Sequence, residues 1–151
     1  MSDKQRILIA DDSEMNRAIL TEMLGEKYEI LEAENGQQAI EMIEQNSDID
    51  LLLLDIMMPV KDGFDVLAAM NQYHWIDELP VIMISAESAT SFVERAYDLG
   101  ATDYISRPFD MAVVRRRVVN TLMLYGKQKR LMQLVADQIY ENEKSNSLMI
   151  T

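Results

Sequence analysis

Unbroken apolar runs of strand length constrain this chain more than any other feature. They are Ile7-Leu8-Ile9-Ala10, Leu51-Leu52-Leu53-Leu54, Val81-Ile82-Met83-Ile84 and the weaker Tyr28-Glu29-Ile30-Leu31. A shorter fifth run follows at Asp103-Tyr104-Ile105-Ser106. A strand that faces water on one side alternates apolar and polar residues. Continuous runs belong instead to strands covered on both faces, as in a parallel sheet with helices on each side. The segments between them carry helical periodicity: Ala18-Ile19 with Met23 and Leu24, Ala39-Ile40 with Ile43, Val66-Leu67 with Met70, and Phe92-Val93 with Ala96. Ser13 and Asn35-Gly36 stand where helices would open, Gly25 and Gly100 where they would close. Five βα units in succession predict an α/β, doubly wound domain built on a five-stranded parallel sheet.

Composition narrows the function. With 48% hydrophobic residues in 151, the chain has the material for one buried core. It has no cysteine and one histidine, His74, which excludes disulfides, thiolate chemistry and histidine-rich metal sites and suits a reducing cytoplasm. No apolar run approaches the ~18 residues of a membrane span. The net charge of −12 argues against nucleic acid as a partner. That charge is unevenly placed: residues 1–109 hold 22 acids and 7 bases, net −15, and residues 110–151 hold 4 acids and 7 bases, net +3.

From Asp110 a helical pattern outlasts what a fifth unit needs. Val114, Val118 and Leu122 can pack on the sheet. Beyond them Tyr125, Met132, Val135 and Ile139 recur at roughly heptad spacing, with Gly126 and Lys127-Gln128-Lys129-Arg130 expected to interrupt the helix. The chain therefore divides into a domain over 1–124 and a helical extension over 125–151. The extension ends at Ser147-Leu148-Met149-Ile150-Thr151 without a cap or turn, as a linker to an output domain would. Its apolar stripe predicts self-association into a homodimer, against the alternatives that it folds back on its own domain or packs on a downstream one.

In an open parallel sheet, ligands bind outside the carboxyl ends of the strands. The first strand ends in Asp11-Asp12, the third in Asp55, the fourth in Ser85-Ala86, and Arg107-Pro108-Phe109 follows the fifth. Like charges about 5 Å apart repel by about 3 kcal/mol at an effective dielectric near 20. Carboxylates held so close call for a divalent cation or a raised pKa. Mg²⁺, a hard ion that takes one or two carboxylates together with water and phosphate oxygens, suits the cluster.

Taken in this order, each at a strand end, Asp11-Asp12, Asp55 with Met58-Pro59 and Asp62-Gly63, Ser85-Ala86 and Pro108-Phe109 resemble the motifs of the receiver domain of bacterial two-component response regulators, over about residues 5–124. The resemblance implies a flavodoxin-like sheet of order 2-1-3-4-5 and a signalling module, not an enzyme, in the cytoplasm. It implies that Asp55 accepts a phosphoryl group from a sensor histidine kinase or phosphotransfer protein. It also implies that Asp12 and Asp55 ligate Mg²⁺, with the Met57 carbonyl as a backbone ligand and Asp11 acting mainly through water. Ser85 would hydrogen-bond the acyl phosphate, Tyr104 would be the aromatic switch that turns inward, and the output would lie in a further domain or a partner protein. One position departs from the pattern: Arg107, which would contact the phosphoryl group, stands where receivers usually carry lysine, and its planar fork is bulkier than an ammonium. The resemblance further implies a cis bond at Arg107-Pro108.

Taken singly, each feature has a plainer explanation. An Asp-Asp pair after a strand is usually a solvated cap, Ser85 a small residue at a crowded strand end, and Tyr104 a packing residue. His74 and Trp75 belong to a loop, and the twelve methionines fill core and interface. Two other functions compete. A Mg²⁺-dependent phosphohydrolase using Asp55 would need a second acid where Met57 sits. A pseudo-receiver would act by constitutive protein contact and needs no phosphate. A nucleotide site would need a glycine-rich loop, which is absent.

Overall fold

The computed structural model describes residues 4–86 and 90–150. Five strands and five helices alternate: β1 (Arg6–Ala10), α1 (Glu14–Leu24), β2 (Glu29–Ala33), α2 (Gly36–Gln45), β3 (Leu51–Asp55), α3 (Gly63–Gln72), β4 (Val81–Ser85), α4 (Thr90–Asp98), β5 (Asp103–Ser106) and α5 (Met111–Ile150). All strands pair in parallel, in the order β2-β1-β3-β4-β5. This is the predicted doubly wound sheet with the predicted strand order. The uncapped end read at Ser147–Thr151 reaches residue 151, outside the described residues.

The sheet's two faces build two cores. Ile7, Ile9, Leu51 and Leu53 meet Leu20 and Leu24 of α1 and Val114, Val118 and Leu122 of α5. Leu8, Leu52, Leu54 and Met83 point the other way, toward Ile40 of α2, Leu67 and Met70 of α3 and Ala96 of α4. Each such side chain, fully buried, contributes roughly 1.5–3 kcal/mol of transfer free energy. The run at residues 28–31 is weaker because β2 is an edge strand, with Glu29 and Glu32 exposed.

Two local expectations are corrected. On α1 the buried residues are Arg17, Leu20 and Leu24, whereas Ala18 and Ile19 face solvent. Gly126 and the basic residues after it do not interrupt α5, which runs unbroken for 40 residues from the core to well outside it. The caps are as expected: the Ser13 side chain accepts from Asn16 N and that of Asn35 from Gln38 N. The Arg107-Pro108 bond is cis.

Candidate functional site

Parallel strands all deliver their carboxyl ends to one edge, and the chain reverses its direction of travel across the sheet between β1 and β3. That reversal leaves a crevice. Asp11, the first residue past β1, and Asp55, the last of β3, flank it, and Asp12 stands at its mouth. Asp11 and Asp55 are buried at 1% and 3% exposure, and Asp12 is exposed. One carboxylate oxygen from each of Asp11, Asp12 and Asp55 lies within 4.8 Å of the others. Three hard oxygen donors at that spacing fit a divalent cation of the Mg²⁺ kind.

The backbone around the crevice is tied down on every side. Asp11 N donates to Ala33 O at 3.1 Å, and the Asp11 carboxylate accepts from Ser13 N at 2.9 Å. Ile56 N donates to Ile84 O, and Gly63 N returns to Ile56 O at 2.8 Å, bringing the start of α3 against the end of β3. Position 63 must be glycine for that approach, since a Cβ there would stand 2.5 Å from the Asp55 carbonyl oxygen. Asp62 caps α3 in a reciprocal capping box with Asp65.

Arg107 comes in from the far strand. Its Nη2 lies 2.8 Å from Asp55 Oδ1 and 3.3 Å from Asp11 Oδ2, so one guanidinium nitrogen bridges both buried acids. Its Nε is buried with no hydrogen-bond partner among the described residues. Burial pushes the Asp55 carboxyl up to about 6, and the charge of Asp11 adds to the push; Arg107 and a hydrogen bond from the Met57 backbone pull the other way. Burial also raises Asp11, against the hydrogen bond from Ser13 and the charge of Arg107.

Of the remaining predicted residues, Ser85 stands at the same sheet edge and Tyr104 lies within β5, two residues before its end. Ser85 ends β4 beside β3 and is buried, and its carbonyl accepts from Arg107 N at 3.0 Å. Tyr104 is buried in the core on the α2–α4 side, and its carbonyl accepts from Arg117 Nη1. The Met57 side chain is exposed beside the site. One residue went unread in the sequence. Arg17 is buried on α1, donates to the Asp11 carbonyl at 2.7 Å and pairs with Glu32 at 3.0 Å, so it braces the backbone that carries Asp11. Glu32 and Glu34, flanking the end of the neighbouring strand, are exposed acids, and the sequence carries no signal that Arg17 would reach them.

The response regulator receiver domain family matches residues 7–119. The chain belongs to that family. Response regulator RR06 of Streptococcus pneumoniae is 37% identical over 120 residues, covering 79% of this chain and 54% of that protein. The receiver thus spans about half the length of that relative. Chemotaxis protein CheY of Halobacterium salinarum is 34% identical over 119 residues, covering 78% of this chain and 97% of that protein. A crystal structure of the CheX–CheY–BeF3–Mg complex from Borrelia burgdorferi superposes with a TM-score of 0.69 at 33% identity, covering 77% of this chain and 87% of that one. As a receiver the chain is a signalling module with an acidic cluster that can hold a metal ion. No helix among the described residues is long and apolar enough to cross a membrane.

Proposed function

We propose that this receiver accepts a phosphoryl group on Asp55 with Mg²⁺ as cofactor. Its donor is a sensor histidine kinase or phosphotransfer protein, and its output is a further domain or a partner protein. The observation that carries the reading is the packing of Asp11, Asp12 and Asp55 within 4.8 Å at the crevice between β1 and β3, with Arg107 on two of them. An Asp55 carboxylate oxygen attacks phosphorus, the bond from phosphorus to the donor's imidazole nitrogen breaks, and an acyl phosphate results. Phosphoryl transfer of this kind asks mainly for alignment and charge neutralisation. Asp12 and Asp55, with the Met57 carbonyl and Asp11 through water, would hold Mg²⁺, which supplies neutralisation of the phosphoryl oxygens. Arg107 contributes a fixed positive charge, with its Nη2 already at hydrogen-bond distance from the acceptor carboxylate. Ser85 binds the acyl phosphate and Tyr104 responds to it as the switch.

The test is incubation with acetyl phosphate and Mg²⁺, followed by intact-mass measurement. One phosphoryl group should add to the wild type and none to Asp55→Asn, and a chelator should suppress the gain. Modification that survives Asp55→Asn overturns the assignment. A second reading, constitutive contact without phosphate, draws on the 2.8 Å ion pair that Arg107 already makes with the acceptor. The absence of any acyl phosphate in the wild type would favour it.

A further inference from the structure

We propose that two copies of this chain associate through the exposed part of α5, and that the two helices run antiparallel. Leu124, Leu131, Met132, Leu134, Val135 and Ile139 are each between 51% and 71% exposed. At 100° per residue they fall on one side of the helix, within close to half its circumference, an arc they share with Lys127, Gln128, Gln138 and Asn142. A helix with so wide an apolar face is stable in water only when that face is covered.

Charge selects the occupant and its direction. The first turns of the exposed segment carry Lys127, Lys129 and Arg130 and no acid; the later turns carry Asp137, Glu141 and Glu143 against one base, Lys144. A parallel pair sets bases beside bases and acids beside acids. It also brings together two receiver bodies whose residues 1–109 carry net −15 each. An antiparallel pair sets the basic turns of each copy along the acidic turns of the other and holds the bodies at opposite ends. Lys127 and Glu141 lie fourteen residues apart, hence on the same edge of the apolar face. Flanks of the same kind meet in an antiparallel pair, so Lys127 of one copy meets Glu141 of the second. That register centres the contact near Leu134 and lays Val135 of one copy against Met132 of the other.

The chain has no cysteine, so single substitutions report the arrangement cleanly. In the antiparallel register position 128 of one copy lies near position 139 of the second, whereas like positions are about 16 Å apart along the axis, beyond disulfide reach. Mild oxidation should crosslink a mixture of Gln128→Cys and Ile139→Cys into a heterodimer and leave each variant alone uncrosslinked. Lys127→Glu should weaken the dimer about tenfold in sedimentation, because two symmetry-related ion pairs become repulsive, and Lys127→Glu with Glu141→Lys should restore it. A wild type that sediments as a monomer at high micromolar concentration overturns the proposal. So does self-crosslinking of Gln128→Cys, which marks a parallel pair, or a dimer that neither crosslinks in the mixture nor responds to Lys127→Glu.

Discussion

Asp55 is held between opposing influences. Burial and Asp11 favour its proton, Arg107 opposes them, and the balance lies at about 6, well above an ordinary aspartate. In the unfolded chain the group ionises near 4. From about pH 4 to 6 the native state keeps a proton that the unfolded state has released, so the stability contribution of Asp55 falls as pH rises through that window. At neutral pH, without metal, the buried charge costs on the order of 2 kcal/mol. Asp55→Asn should therefore be the more stable protein in urea at pH 7.5 with a chelator present, and the advantage should vanish near pH 4. Mg²⁺ must displace that same proton, so its binding should weaken as pH drops below about 6, seen by calorimetry. Arg107 sets the other side of the balance. Arg107→Met should move the carboxyl carbon titration of Asp55 still higher, and Arg107→Lys should leave it close to wild type. If the lysine variant also enlarges the shifts at Ser85 and Tyr104 on phosphorylation, the planar fork of the arginine restrains switching; unchanged shifts mean that it serves as well.

Helix α1 shows how far a periodic pattern carries. Its Ser13 cap and the burial of Leu24 are legible, but the pattern puts Ala18 and Ile19 on the buried face where the structure puts Arg17 and Leu20. The site facing the sheet is filled by Arg17, whose guanidinium finds the Asp11 carbonyl and Glu32 at the ends of two other strands. An apolar count cannot see a charge whose partners are brought up by tertiary folding. The strand ends were legible for the opposite reason: a strand covered on both faces admits no charge along its length, so an aspartate at its end marks the sheet's edge. That Arg107 would bridge Asp11 and Asp55 was beyond the sequence, because it depends on β5 lying two places from β3. Leu20→Ala should cost 2–5 kcal/mol in urea denaturation, and Ile19→Ala well under 1. At Gly126 a Cβ would meet nothing within 4 Å, so nothing in the packing requires glycine there. Gly126→Ala should raise stability by about 0.5–1 kcal/mol, provided α5 melts with the domain.

At the scale of the whole molecule the acidic body resists its own compactness. Raising NaCl from low to moderate concentration should lift Tm by screening that repulsion. Millimolar Mg²⁺ should lift it beyond NaCl of the same ionic strength, and Asp12→Asn should remove the excess, since only a site-bound ion acts by mass action. Helix α5 has a different consequence. Its first turns, with Val114 and Val118, are clamped in the core, and Arg117 holds the carbonyl of Tyr104. The same unbroken helix continues for about 39 Å beyond Leu124. It is a lever whose fulcrum sits against β5: a tilt of about 3° at the clamped end carries Ile150 about 2 Å. A displacement too small to repack the core beside Tyr104 thus becomes, at the far end of the arm, a movement about the size of a methyl group.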